Sequence, residues 1–238
     1  MVVGKRKRYE TMYPGVAITV GNPGKIPRAV SCLMQALQGV QQDEKEGHCR
    51  IGSISDLLGA ELEDMRANKK KFQSAGDLCR GIAYIKFANE GVKPSELVHR
   101  LLEDESRPLP PFISRIIPFD YVSHPHYADA TGIVVREIKP FFEGIEKSTT
   151  WTLKYSKHAM SSVDKSKLLQ VMIEQIPDRH EPTVMGAEWT ILVDVTPVIC
   201  GISIVRDYEK FCEYNVAKLV QQRREQGEEA DEVDDEEP

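Results

Sequence analysis

Over Gly15–Val20, Val16, Ile18 and Val20 alternate with Ala17 and Thr19, and this period of two predicts a half-buried strand. Gly21-Asn22-Pro23-Gly24 then reads as a turn. Pro27 suits the first turn of a helix whose buried stripe is Val30, Leu33, Met34 and Leu37, with Gly39 in place to end it. Gln41–Gly47 is polar and loop-like. Cys49–Ser55 has the length of a short strand, and Leu57, Leu58, Leu62 and Met65 mark a short helix closed by Lys69-Lys70-Lys71. Arg80–Ala88 places Ala83, Ile85 and Phe87 on one strand face. Pro94 opens a helix with Leu97, Val98, Leu101 and Leu102 inward, and Phe112–Pro118 is strand-like again. The order is β-α-β-(helical insert)-β-α-β, a split βαβ unit. Arg107-Pro108-Leu109-Pro110-Pro111 stiffens the entry to its last strand and marks a seam.

The second half has a different rhythm. Tyr121–Tyr127 is a polar loop. Val134, Ile138, Phe141, Phe142 and Ile145 recur at helical intervals interrupted by Pro140, which predicts two helices or one kinked helix. Thr150–Ser156 alternates as a strand, with Trp151, Leu153 and Tyr155 inward and Thr152 and Lys154 outward. Residues Ser161–Asp164 can cap a helix buried through Leu168, Leu169, Met172, Ile173 and Ile176 and ended by Pro177. Trp189–Val195 and Val198–Val205 are apolar runs of strand length joined through Thr196-Pro197. The second is continuous enough for burial on both faces. Tyr208, Phe211, Cys212 and Leu219 follow at helical spacing, so a helix is expected to begin where that strand ends.

Composition changes this picture in three places. The net charge of −6 is carried by Glu225–Pro238, which holds nine acidic residues and no lysine or arginine; without it the chain has 31 basic and 28 acidic residues. The expectation is a mildly basic body, compatible with nucleic acid, and a solvated, disordered acidic tail. Lys5-Arg6-Lys7-Arg8 reads as a nuclear address or an RNA-touching arm, against the plainer reading of a solubilising terminus. Cys32, Cys49, Cys79, Cys200 and Cys212 form no CxxC pair and sit among apolar neighbours, as reduced, packed thiols do.

Several chemistries lack their residues. Gly24-Lys25 has Thr19 where a phosphate loop needs its first glycine and Ile26 where it needs Ser or Thr. His124-Pro125-His126 has no acid or thiol at ligand spacing, so no metal is expected there. Arg224–Glu229 sets acids around the place where an acetyl-CoA loop must hold pyrophosphate. No apolar run approaches the ~20 residues that span a bilayer, and no signal-like apolar stretch follows the basic start.

Three stretches go further. Arg115-Ile116-Ile117-Pro118, Thr150–Ser156 and above all Ser203–Asn215 (SIVRDYEKFCEYN) resemble the family of THUMP-domain adaptors that assist tRNA cytidine acetylation. The resemblance covers roughly residues 10–220. It implies an α+β protein with a ferredoxin-like domain over 10–111, a THUMP domain over 112–222, and the acidic tail from 223. It further implies a non-catalytic tRNA-binding adaptor with no cofactor of its own. Such an adaptor presents the D-arm of serine and leucine tRNAs to a separate RNA cytidine acetyltransferase, which uses acetyl-CoA and ATP. A nuclear, nucleolar location is expected, with the cytoplasm as the alternative.

Alternation puts Thr152 and Lys154 on the outer face of Thr150–Ser156, with Lys157 and His158 continuing it and Arg115 bordering it, a patch for the acceptor end, where the resemblance places THUMP contacts; Lys69, Lys70 and Lys71 are a second candidate phosphate contact, against the plainer reading of charges that complement a helix C-terminus. The chain departs from the family wording at Lys157-His158-Ala159 and at Pro182–Ala187. Lysine keeps the charge there but loses the bidentate fork of arginine. Two other functions stay open on the residues: a THUMP-type tRNA-modifying enzyme or subunit of another complex, and an interaction protein that works through its acidic tail without RNA.

Overall fold

The computed structural model describes residues 12–46, 71–88, 91–158 and 163–234. Two sheets share the chain. The first half contributes β1 (Gly15–Val20), α1 (Ile26–Glu46), β2 (Phe72–Cys79), β3 (Ile82–Phe87), α2 (Pro94–Glu103) and β4 (Ile113–Phe119). Its strands lie in the order β2-β3-β1-β4, antiparallel throughout. Val16, Ile18, Leu33, Leu37, Val98 and Leu101 bury one face of this sheet under both helices.

The second half supplies β5 (Tyr121–Ser123), α3 (Tyr127–Ile133), a π-helical turn (Val134–Ile138), α4 (Lys139–Glu143), β6 (Thr150–Lys157), α5 (Lys165–Gln175), β7 (Glu181–Pro182), β8 (Trp189–Val195), β9 (Cys200–Val205) and α6 (Val216–Asp234). The order is β5-β9-β8-β6-β7, with β6 parallel to β8 and β7 and the remaining pairs antiparallel. Its core is Trp151, Phe142, Met172, Ile191 and Val193. The π-turn precedes Pro140, whose missing N–H then falls in the first turn of α4.

Four expectations change. Helix α1 runs through Gly39 to Glu46, because a Cβ at Gly39 would meet the Arg107 guanidinium at 2.5 Å: the glycine makes room for a side chain. The second strand is Phe72–Cys79, while Cys49–Ser55 and the helix expected from Leu57 to Met65 lie outside the described residues. The pattern of β2 buries every third residue, since its register slips between Ser74 and Gly76 and again between Asp77 and Cys79, so the period of two is lost. Residues 206–215 form turns and a short 3-10 turn at Cys212–Tyr214 instead of the expected helix, and α6 starts only at Val216. Finally, helix continues to Asp234, into the stretch expected to be disordered from 223; Ala, Gln, Arg and Glu are strong helix formers, and Gln221 donates to Glu225 at 2.9 Å.

The chain changes sheet at Asp120, after the expected boundary between 111 and 112, and the two units are bonded there. Asp120 N–H donates to Ser203 Oγ at 2.8 Å, Ser203 Oγ donates to the Pro118 carbonyl at 2.9 Å, and Ser95 N–H donates to the Asp120 carboxylate at 2.8 Å. Leu192, Val205, Phe211, Tyr214 and Leu219 belong to the same apolar cluster as Val16 and Leu37, so the first core continues into the second unit.

Candidate nucleic-acid interface

The segment 206–215 leaves β9 and passes back over β4 before α6. Asp207, Cys212, Glu213 and Tyr214 have φ of 54°, 52°, 55° and 59°. Left-handed backbone costs a non-glycine residue roughly 1–2 kcal/mol, so this run must be held by its surroundings. Phe211 and Tyr214 are buried, Glu213 N–H donates to the Tyr208 carbonyl at 2.9 Å, and Tyr214 N–H donates to the Phe211 carbonyl at 2.9 Å. Asn215 pairs with Arg115 of β4 and accepts from Lys218 N–H at 3.1 Å, as the cap of α6. From α2, the His99 ring lies 3.0 Å from the Asp207 carboxylate and stands edge-on to Phe211.

The left-handed turn brings Glu213 back over β6, where its carboxylate lies 3.5 Å from Lys154 Nζ. The same ammonium sits 6.0 Å from the ring of Tyr208. Burial first, and then the Glu213 charge, push the Tyr208 hydroxyl up to about 12, while the Arg115 charge pulls the other way. Arg115 and Lys154 are therefore gathered around one phenol, with one carboxylate in competition for Lys154.

The other expected contacts are not all in this cluster. Thr152 is 7% exposed, because the face of β6 expected to be outward meets the segment 206–215 and the first unit rather than water. Lys157 and His158 are exposed at the end of β6. Lys71 precedes β2, with β3 and β1 between it and the Arg115 strand. Lys69 and Lys70 lie outside the described residues.

His158 has a partner the sequence did not reveal. Its Nε2 lies 3.2 Å from each carboxylate oxygen of buried Asp194. This hydrogen bond, against the opposing effect of burial, raises the imidazole pKa above 6.5. A raised folded value contributes stability that is fully present below the unfolded pKa and lost as pH rises through the folded one. His158→Gln is thus expected to lower the unfolding midpoint most at pH values below 6.5, with the gap narrowing as the solution becomes alkaline; a gap that widens with pH contradicts the pairing. Next to Asp194, burial pushes the Cys200 thiol up to about 12, which makes it an unreactive core thiol.

A cavity of about 400 Å³ opens beside the joint, with Asp120, Trp189, Arg206 and Tyr214 among its walls. The Arg206 guanidinium covers the Trp189 indole at 4.1 Å. Burial raises the Asp120 carboxyl to about 6, against the bond from Ser95. Sequence patterning missed this pairing, since Trp189 and Arg206 lie on different strand ends and meet only through the antiparallel register of β8 and β9.

No protein-family model matches the chain. Curated relatives do: THUMP domain-containing protein 1 of Mus musculus is 22% identical over 173 residues, 68% of this chain and 49% of that protein. Its Homo sapiens counterpart is 21% identical over 173 residues, 68% and 48%. The chain is similar to THUMP domain-containing proteins. It spans about half the length of the curated relatives it matches. Among solved structures, PH1313 from Pyrococcus horikoshii aligns at a TM-score of 0.46, with 10% identity over 81% of this chain and 55% of that one. A 4-thiouridine synthetase solved with RNA and ATP aligns at 0.44, with 12% identity over 82% and 42%.

Proposed function

We propose that this chain is a THUMP-domain, tRNA-binding adaptor that performs no chemistry itself. In this reading it presents the D-arm of serine and leucine tRNAs to an RNA cytidine acetyltransferase in the nucleus, and acetylcytidine is formed by that partner from acetyl-CoA and ATP. The observation that carries the reading is the similarity to THUMP domain-containing protein 1 across 68% of the chain. It is supported by the run Ser203–Asn215, which builds the joint and the Arg115–Lys154 cluster in one stroke. The reading also takes the first unit as ferredoxin-like, which its β-α-β-β-α-β order and β2-β3-β1-β4 sheet support.

Reconstitution tests the division of labour. Purified chain with acetyl-CoA, ATP and a serine tRNA is expected to yield no acetylcytidine, and adding the acetyltransferase restores the product. Product from the chain alone would make it an enzyme. Removing the protein from its own cell is expected to abolish acetylcytidine in tRNA while sparing it in rRNA; equal loss in both would refute the adaptor role.

A further inference from the structure

Two buried polar atoms have nothing to bond. Among the described residues, Tyr214 Oη and Trp189 Nε1 lie away from solvent without a hydrogen-bond partner, in residues 1% and 9% exposed. A buried donor without a partner costs free energy, and native structures rarely keep one. Both residues are walls of the cavity of about 400 Å³ at the joint, a volume that suits a small ligand. Asp120 stands in the same cavity. Its Oδ1 accepts from Ser95 N–H at 2.8 Å, and its charge raises the Tyr214 hydroxyl pKa, so the two groups are close. The cavity therefore offers a carboxylate that accepts and two donors that lack acceptors. The Arg206 guanidinium covers the Trp189 indole at 4.1 Å, and Arg206 is itself exposed, which leaves its outer face open to a second planar group. Lys93 and Arg100 stand exposed among the remaining walls.

We propose that this cavity binds a guanine base, with the Asp120 carboxylate on its N1–H and N2 amino edge, Trp189 and Tyr214 donating to its acceptors, and Arg206 stacked on its ring. The edge of the base decides the choice. An ionised carboxylate only accepts, and at neutral pH Asp120 is above its value of about 6. Guanine sets two donors side by side, as the two carboxylate oxygens require. Uracil has one imino donor between two carbonyls, and adenine and cytosine place a ring nitrogen acceptor beside the amino group, so each turns an acceptor toward the carboxylate. Guanine also carries O6 and N7 for the two unpartnered donors. Guanidinium planes stack on bases, and Lys93 and Arg100 supply charge for a phosphate. The base comes from a free nucleotide or from an unpaired guanosine of an RNA. The inference goes beyond the adaptor reading and does not rest on it.

The test titrates the full chain at neutral pH with the 5′-monophosphates of guanosine, adenosine, cytidine and uridine, and with a uridine pentamer with or without a central guanosine. The chain has two tryptophans, and Trp151 Nε1–H already donates to the His180 carbonyl at 3.3 Å. The indole N–H resonance of Trp189, assigned by its loss in Trp189→Phe, is expected to move with guanosine monophosphate while that of Trp151 stays. Movement with the monophosphate alone makes the ligand a free nucleotide, and movement with the guanosine pentamer alone makes it RNA; either supports the proposal. Asp120→Asn keeps a carbonyl for Ser95 N–H but replaces one acceptor by a donor, and is expected to lose roughly tenfold or more in affinity for the guanine ligand. Tyr214→Phe removes a hydroxyl that bonds nothing in the free protein, so its thermal midpoint should hold or rise while affinity falls roughly three- to tenfold. A lowered midpoint with unchanged affinity would make that hydroxyl structural and overturn its role. Equal binding of the guanine and adenine nucleotides, or a Trp189 resonance that no guanine probe moves, overturns the proposal on the native chain. Binding of tRNA without any guanine preference does so as well, and leaves the adaptor reading standing.

Discussion

Gly201→Ala is expected to be the most damaging single methyl group that can be added to the second sheet. Gly201 is the second residue of β9, paired with Val122 on one side and Asp194 on the other. The ring of Phe119 is laid on its Cα: a Cβ there would stand 2.2 Å from Cγ and 2.3 Å from Cδ2. Phe119 cannot yield, since it is 1% exposed and lies 5.8 Å from the ring of Tyr84. Its backbone is fixed by the bonds through Pro118, Ser203 and Asp120. Overpacking of this kind costs typically about 1–3 kcal/mol and more where backbone must move, so a loss of about 3 kcal/mol is expected. At this chain length that lowers the thermal midpoint by roughly 6–12 °C. The mechanism is separable from a general β9 defect by a double-mutant cycle. Phe119→Ala alone costs about 3–5 kcal/mol through its cavity. In the Gly201→Ala, Phe119→Ala double variant the new methyl group enters that space, so the two losses should fall short of additive by about 1–3 kcal/mol. Strict additivity would place the damage elsewhere.

The elements legible in the sequence are those whose burial follows from their own local spacing or unbroken apolar run. Val16, Ile18 and Val20 in β1, the unbroken apolar runs of β8 and β9, and Leu97, Val98, Leu101 and Leu102 in α2 all lie where their period places them. Asp164 caps α5 by accepting from Lys167 N–H at 3.0 Å, as its position ahead of Leu168 predicts. What failed depended on partners distant in sequence. The bulges of β2 erase its alternation. Tyr208, Phe211 and Cys212 mimic a helical stripe, yet they line a left-handed turn with no glycine to announce it. The outward face of β6 was inferred correctly as a face and wrongly as a solvent face, because the segment 206–215, some fifty positions later, folds back across it. Of the candidate contacts, Arg115 and Lys154 are brought together, and the carboxylate that competes for Lys154 was not visible in any local pattern.

That carboxylate gives the proposed RNA surface its sharpest test, because it predicts two substitutions of opposite sign. If Arg115 and Lys154 each neutralise a phosphate of bound tRNA, Arg115→Gln with Lys154→Gln removes two contacts. Glutamine is chosen since a glutamate at 154 would face Glu213 at ion-pair distance and unsettle the joint. Each contact contributes about 0.7–0.9 to the slope of log affinity against log salt, so the slope should become shallower by roughly 1.4–1.8. Extrapolated to about 0.1 M salt, the same two contacts are worth roughly 25–60-fold in affinity, and the difference should vanish toward 1 M. Glu213→Gln acts in reverse. It leaves the turn its buried anchors, Phe211 and Tyr214, and releases the Lys154 ammonium from its ion pair. The expected result is tighter tRNA binding by a few-fold and a steeper slope, since one more cation is free to displace counterions. Filter binding across a salt series on folded variants reads both. Unchanged affinity in the double glutamine variant, or weaker binding by Glu213→Gln, would remove the Arg115–Lys154 cluster from the RNA surface and leave Lys157 and the basic run at Lys71 to be tested in its place.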